Sequence, residues 1–196
     1  FLEPLRNRDG TPWLELAGFP TLIEEAPELA RALGVGRLFV KRDDRAGAVY
    51  GGSKARKLEL LLGEAEARGF HTVVAQGGVG SNQTLATAFF AKQRGLTARL
   101  FLLPERPSAE VRAHVLAQAA LGAEQRLVGS EAAVHAVIAR LPQRPYVIPM
   151  GGSSPLGNVG FVEAGLELAA QVRQGLLPAP DAVYLPLGTG GSAVGL

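Results

Sequence analysis

Short β-rich runs alternate with helix-forming segments along nearly all of this 196-residue chain, and that alternation constrains its fold more than any other feature. The runs are RLFVKRD (37–43), TVVAQ (72–76), ARLFLL (98–103), RLV (126–128), YVIPM (146–150) and AVYLPL (182–187). Between them, apolar spacing predicts helices over 54–68, 81–94, 108–121, 130–140 and 157–174. Leu58, Leu61, Leu62 and Ala65 recur at i, i+3, i+4 and i+7, and Val134, Val137, Ile138 and Leu141 repeat the spacing. Ser108 and Ser130 stand where N-caps belong, and Gly69, Gly95 and Gly122 stand just past C-termini. Strands this short, mostly apolar and separated by helices, predict an α/β protein with mostly parallel sheets built of right-handed βαβ units. Pro142, Pro145, Pro149 and Pro155, mixed with GGSS, mark a break near 142–156.

Composition removes several classes of function. A net charge of +2 with no long basic run argues against a nucleic-acid surface. Without cysteine there is no disulfide framework, thiolate metal site or thiol nucleophile. No apolar run reaches the roughly 18 residues of a membrane helix, so no membrane partner is expected and a cytoplasmic location is the default. The sequence opens on Phe1 and stops at Leu196, where a glycine turn would open a further helix. It reads as a chain truncated at its C-terminus.

The helix starting at residue 54 poses a problem of charge. Its first turn carries Lys54, Arg56 and Lys57, although a helix N-terminus is partially positive and prefers Asp or Glu. Either Arg56 and Lys57 are solvated surface charges, or they surround Lys54 with positive potential. In the second case the neutral amine of Lys54 is favoured, and a neutral amine is the nucleophile that joins an aldehyde. The same field attracts anions.

Three glycine turns lie beside strands or helix starts: YGGSK (50–54), QGGVGSNQ (76–83) and LGTGGS (187–192). Each alone is equally a plain connection; together, with Lys, Asn and Ser attached, they point to an anionic ligand at the strand ends. A Walker loop is excluded, because Ser53 separates Gly52 from Lys54 and Ala55 follows. GTGGSA (188–193) fits the permissive dinucleotide pattern, so a nucleotide-dependent oxidoreductase stays open, as does a non-catalytic ligand-binding α/β module.

VKRDD (40–44), GGSKARKLE (51–59), GGVGSNQT (77–84), GGSSPLGNVGFVEAGLEL (151–168) and GTGGS (188–192) occur in an order that resembles one family. It is the 1-aminocyclopropane-1-carboxylate deaminase and D-cysteine desulfhydrase family, pyridoxal-phosphate enzymes of the tryptophan-synthase-β fold type. The resemblance runs from about residue 20 to the end. It implies two three-layer αβα domains with the cofactor, pyridoxal 5'-phosphate, in the cleft between them. Residues 1–56 and 157–196 would belong to the large domain, incomplete here, and 57–156 to the small one. It further implies a cytoplasmic homodimer acting on a small amino acid, with deamination or elimination to an α-keto acid and ammonia.

Matched position by position, Lys54 is the lysine bound to the cofactor aldehyde and the proton shuttle. Asn82 lies beside the pyridine ring, Ser81 and Gln83 face the substrate with Asn82, and Gly188, Thr189, Gly190, Gly191 and Ser192 cradle the phosphate. His71, His114 and His135 match no motif and receive no chemistry. The chain departs from the family pattern at Ser53, usually Asn, at Gly80, usually Gln, and at Leu85-Ala86, often Arg-Gln. These changes thin the polar groups near the substrate.

Overall fold

The computed structural model describes residues 10–141 and 144–196; Pro142 lies outside them. An antiparallel pair, β1 (Ile23–Glu25) and β2 (Phe39–Lys41), brackets helix α1 (Pro27–Leu33). Then α2 (Lys54–Ala67), β3 (Thr72–Gly78), α3 (Asn82–Gln93), β4 (Thr97–Leu103), α4 (Ala109–Ala120), β5 (Glu124–Leu127), α5 (Glu131–Ile138) and β6 (Tyr146–Val147) alternate. α6 (Pro155–Arg173) and the short α7 (Gly191–Gly195) complete the order.

The four later strands form one parallel sheet in the order β5-β4-β3-β6. β3 is central, pairing with Thr97–Leu103 along its whole length and with Tyr146–Val147 on its other side. Because both faces are covered, Val73, Val74 and Ala75 are fully buried. The α2 stripe forms the core against them: Leu58, Leu61, Leu62 and Ala65 join Ala86, Phe90, Leu100 and Ile148 in one cluster. On the other face Val74, Phe101, Val128 and Val134 form a second cluster, with Val137 and Ile138 packed against it.

The predicted punctuation holds. Ser108 Oγ accepts from Val111 N at 3.1 Å and Ser130 Oγ from Ala133 N at 3.3 Å. Gly69, Gly95 and Gly122 end their helices at φ of +73°, +70° and +80°, where a side chain would be strained.

Two expectations are corrected. The 37–43 run pairs antiparallel with a strand at 23–25 that the alternation did not reveal, because three-residue strands carry no readable period. The run at 182–187 is not a strand. No ladder lies beside it among the described residues, and Val183, Tyr184 and Leu187 are 50%, 87% and 77% exposed. Among the described residues no helix is long and apolar enough to cross a membrane.

α6 packs on α2 at Gly160, where an added Cβ would overlap the carbonyl of Arg56, with its carbon 2.6 Å away. Gly160→Ala gains about 1 kcal/mol of helix propensity but forces two backbones apart. The expected net loss is about 2 kcal/mol in denaturant unfolding, with α2 displaced.

Candidate active site

The turn before α2 places the three cations. Gly52 sits at φ +117° and donates to Asp43 O at 2.6 Å, while a Cβ on Gly51 would overlap the Asp44 carbonyl. With the chain pressed against 43–44, α2 begins at Lys54, and its next residues diverge in direction.

Arg56 turns into the protein. Its Nε and Nη2 donate to the two Asp43 carboxylate oxygens at 2.8 and 2.7 Å, and Nη1 donates to Glu167 Oε2 at 2.8 Å. The guanidinium lies 4.0 Å above the Phe19 ring. Lys41 pairs with Glu167 as well, and Thr21 Oγ1 donates to Asp43 Oδ1 at 2.8 Å. Burial pushes the Asp43 and Glu167 carboxyls up, but hydrogen bonds and charge from Arg56 outweigh it and hold both below the usual range.

Lys57 turns the other way. It is 1% exposed, and its Nζ donates to Ser153 Oγ at 3.0 Å and to Gly151 O at 3.2 Å. Among the described residues no carboxylate is paired with it. Burial, and then the charge of Lys54, push its pKa down to about 8. The surface-charge reading of Arg56 and Lys57 is therefore overturned: they are 3% and 1% exposed.

Lys54 is half-buried, and burial lowers its pKa. The expected source of that shift is corrected in part: Arg56 is neutralised by its two carboxylates, so desolvation does the work instead.

Around Lys57 the structure assembles pieces distant in sequence. Ser153 Oγ lies 2.5 Å from Thr189 Oγ1. With its amide nitrogen facing the acceptors, Asn158 donates to Ser154 O at 3.3 Å and Gly191 O at 3.2 Å. A Cβ on Gly191 would come within 2.7 Å of Lys57 Nζ and overlap Ser153 Oγ. The backbone of Gly191 is thus pressed against an ammonium, a hydroxyl and the Asn158 side-chain amide, with no room for a side chain. Gly190, at φ +80°, turns the 188–192 loop into α7. Gly152 approaches from the other side: its Cβ would lie 3.2 Å from both Gln83 Oε1 and Lys57 Cδ.

The third turn ends β3. Ser81 caps α3, its Oγ accepting from Gln83 N at 3.2 Å, which leaves its own hydrogen free to donate. Asn82 is exposed, and its carbonyl accepts from Tyr50 OH at 3.2 Å, tying this turn to the one that carries Lys54. Gln83 is 2% exposed, and its Oε1 has no partner among the described residues. Sequence reasoning overlooked Lys57, Ser153 and Asn158. The GGSSPLGN stretch was the available signal, a capped helix start with a polar residue one turn in.

Residues 14–196 match the profile of a family described as pyridoxal-phosphate dependent enzyme. The chain is 37% identical over 195 residues to nocardicin C-9' epimerase of Nocardia uniformis subsp. tsuyamanensis, covering 94% of this chain and 58% of that protein. It is 33% identical over 206 residues to D-cysteine desulfhydrase of Salmonella paratyphi B, covering 98% and 61%. The crystal structure of an ACC deaminase homologue superposes with a TM-score of 0.82 at 33% identity, covering 95% of this chain and 57% of that one. The chain thus spans little more than half the length of these relatives.

Proposed function

The chain belongs to the pyridoxal-phosphate dependent enzyme family, of the ACC deaminase and D-cysteine desulfhydrase type, and from that premise we propose that it carries the cofactor lysine of a lyase or deaminase. The observation supporting this most is Lys57, a buried ammonium with hydroxyl and carbonyl partners but no counter-charge among the described residues, beside a glycine turn. A buried charge without a partner is costly, and a phosphate group would supply the missing one. The close approach of the Gly191 backbone to that ammonium and to Ser153 puts the 188–192 turn within reach of the same anion.

In this reading Gly188, Thr189, Gly190, Gly191 and Ser192 offer backbone and hydroxyl donors to the phosphate, joined by Ser153 and Lys57. Pyridoxal phosphate supplies an aldehyde and a ring that accepts the electron pair left at the substrate's α-carbon. Lys54, whose burial favours its neutral amine, would be the residue that holds the aldehyde end of that group, and its amine would be the base for the α-proton. Asn82 would stand beside the ring. Ser81, with its free hydroxyl hydrogen, and Gln83, donating from its amide Nε2, would hold the substrate carboxylate. Residues 1–56 and 157–196 would then form part of the cofactor domain and 57–156 the small domain, with 1–9 and 142–143 lying outside the described residues, and the protein would act as a cytoplasmic homodimer.

Opening a cyclopropane ring needs an acid or nucleophile at the ring carbons, and the residues proposed to face the substrate supply none that is obvious. β-Elimination needs only Lys54 at the α-proton and a held carboxylate, so a thiol or hydroxy amino acid, the D configuration included, is the favoured substrate. The 37% identity to an epimerase favours a second reading, in which the proton returns to the opposite face. The full-length protein should be offered D-cysteine, L-cysteine, D-serine and 1-aminocyclopropane-1-carboxylate, with keto acid, sulfide and product chirality measured. Keto acid and sulfide from a cysteine support elimination. Keto acid from the cyclopropane alone overturns the preference, and inversion without keto acid moves the assignment to epimerisation.

Lys57→Met gives an independent check. Loss of one charged hydrogen-bond donor should weaken cofactor binding by about tenfold or more. The ligand-free protein should melt no lower than wild type, because an unpaired buried charge has gone. Unchanged cofactor affinity contradicts the phosphate role.

A further inference from the structure

The turn that presents Ser81 is gripped from outside by one face of α4. Gly80 N donates to Glu105 Oε2 at 3.0 Å, and Gly80 O lies 2.7 Å from His114 Nδ1. Because a carbonyl only accepts, Nδ1 carries the hydrogen. Both polar atoms flanking the Gly80 α-carbon are therefore held by side chains from the β4–α4 region. Four residues further along α4, Gln118 Nε2 donates to Thr84 Oγ1 at 3.1 Å, and Thr84 Oγ1 donates to Ser81 O at 2.8 Å. Gln118 and Thr84 are fully buried. Val111, His114 and Gln118 follow helical spacing, so a single face meets the turn at both ends.

This arrangement leaves no room at residue 80. A Cβ there would lie 2.8 Å from Val111 Cγ2 and 3.3 Å from Glu105 Oε2. One added at Gly78 would lie 2.6 Å from Glu105 Oε2. The glycine that departs from the family pattern at 80 is what lets the backbone approach α4 closely.

We propose that His114 and Glu105 are positioning residues: by holding both sides of Gly80 they fix where the Ser81 hydroxyl points, and so set substrate affinity. The inference rests on the reading of Ser81 as a carboxylate contact. A hydroxyl that must meet a carboxylate within a few tenths of an ångström loses binding when its backbone wanders. In this reading both act through the Gly80 backbone and not by contact with substrate or cofactor.

The test compares His114→Ala and Glu105→Ala with His114→Asn and Glu105→Gln in the full-length, cofactor-loaded protein. Asn restores a donor near the Nδ1 position and Gln an acceptor near Oε2. Three quantities are read: amide hydrogen exchange of residues 78–84, KM and kcat, and cofactor affinity. Kinetics use D-cysteine, or whichever of the four amino acids above is turned over fastest. Losing one such bond should raise exchange and KM by about three- to tenfold, with kcat and cofactor affinity near wild type. The Asn and Gln variants should recover most of both. Alanine variants with wild-type exchange and KM overturn the inference, as do Asn and Gln variants no better than alanine. Ser81→Ala separates the two levels: an unchanged KM there overturns the substrate reading of the turn, and exchange alone then decides the clamp.

Discussion

Arg56→Leu is expected to lower the stability of the protein by about 3–5 kcal/mol, the cost of breaking a buried ion pair by removing one partner. The guanidinium is 3% exposed and bridges Asp43, in the turn after β2, to Glu167 on α6. Its removal leaves two largely buried carboxylates, only one of them still paired, with Lys41. The effect should depend on pH in a defined sense. Asp43 and Glu167 are held below their ordinary carboxyl pKa in the folded protein. Their contribution is thus present above about pH 4, the unfolded value, and is lost as pH falls through the lower folded values. Without Arg56 burial dominates at Asp43, whose carboxyl then favours protonation, so acid relieves the variant. The stability gap between wild type and Arg56→Leu should narrow as pH falls toward 4. A gap that stays constant with pH would show that the loss is packing against Phe19 rather than charge.

Much of this architecture is legible in the sequence, and the reason is local. The α2 stripe, the serine caps at 108 and 130, and the glycines ending three helices each need only a few neighbours to specify them. The three glycine turns are likewise visible as local backbone requirements. What stayed hidden depends on distance. Arg56 finds partners 13 and 111 residues away, and Lys57 finds Ser153 across 96 residues, so their burial could not be read from their spacing. Reading the three cations as one positive field went astray for this reason. One is cancelled by carboxylates, one is buried against a hydroxyl and a carbonyl, and Lys54 is shifted by desolvation. His114 has no motif around it, and its bond to Gly80 spans 34 residues. Run 182–187 has the composition of a strand, but a strand exists only beside a partner, and none among the described residues adjoins it.

The other large effect belongs to Lys54. In the proposed reading it is both the attachment point and the group that moves the α-proton. Lys54→Ala in the full-length protein should therefore abolish covalent attachment. Keto-acid formation should fall by about a thousandfold or more, the upper part of the range for a lost acid–base group. Cofactor should still enter the Lys54→Ala site, because the phosphate contacts assigned to Lys57 and the 188–192 turn are untouched. Lys54 and Lys57 are close enough for one charge to lower the pKa of the other, so both are candidates on proximity alone. They differ in surroundings: Lys57 Nζ is engaged by Ser153 and Gly151, whereas no hydrogen-bond partner is recorded for Lys54 Nζ among the described residues.

Borohydride reduction of the cofactor-loaded full-length protein, followed by digestion and mapping of the labelled peptide, separates the two lysines most directly. The predicted result is a single adduct on Lys54, absent from Lys54→Ala and retained in Lys57→Met. An adduct on Lys57, or trapping that persists undiminished in Lys54→Ala, would contradict the assignment.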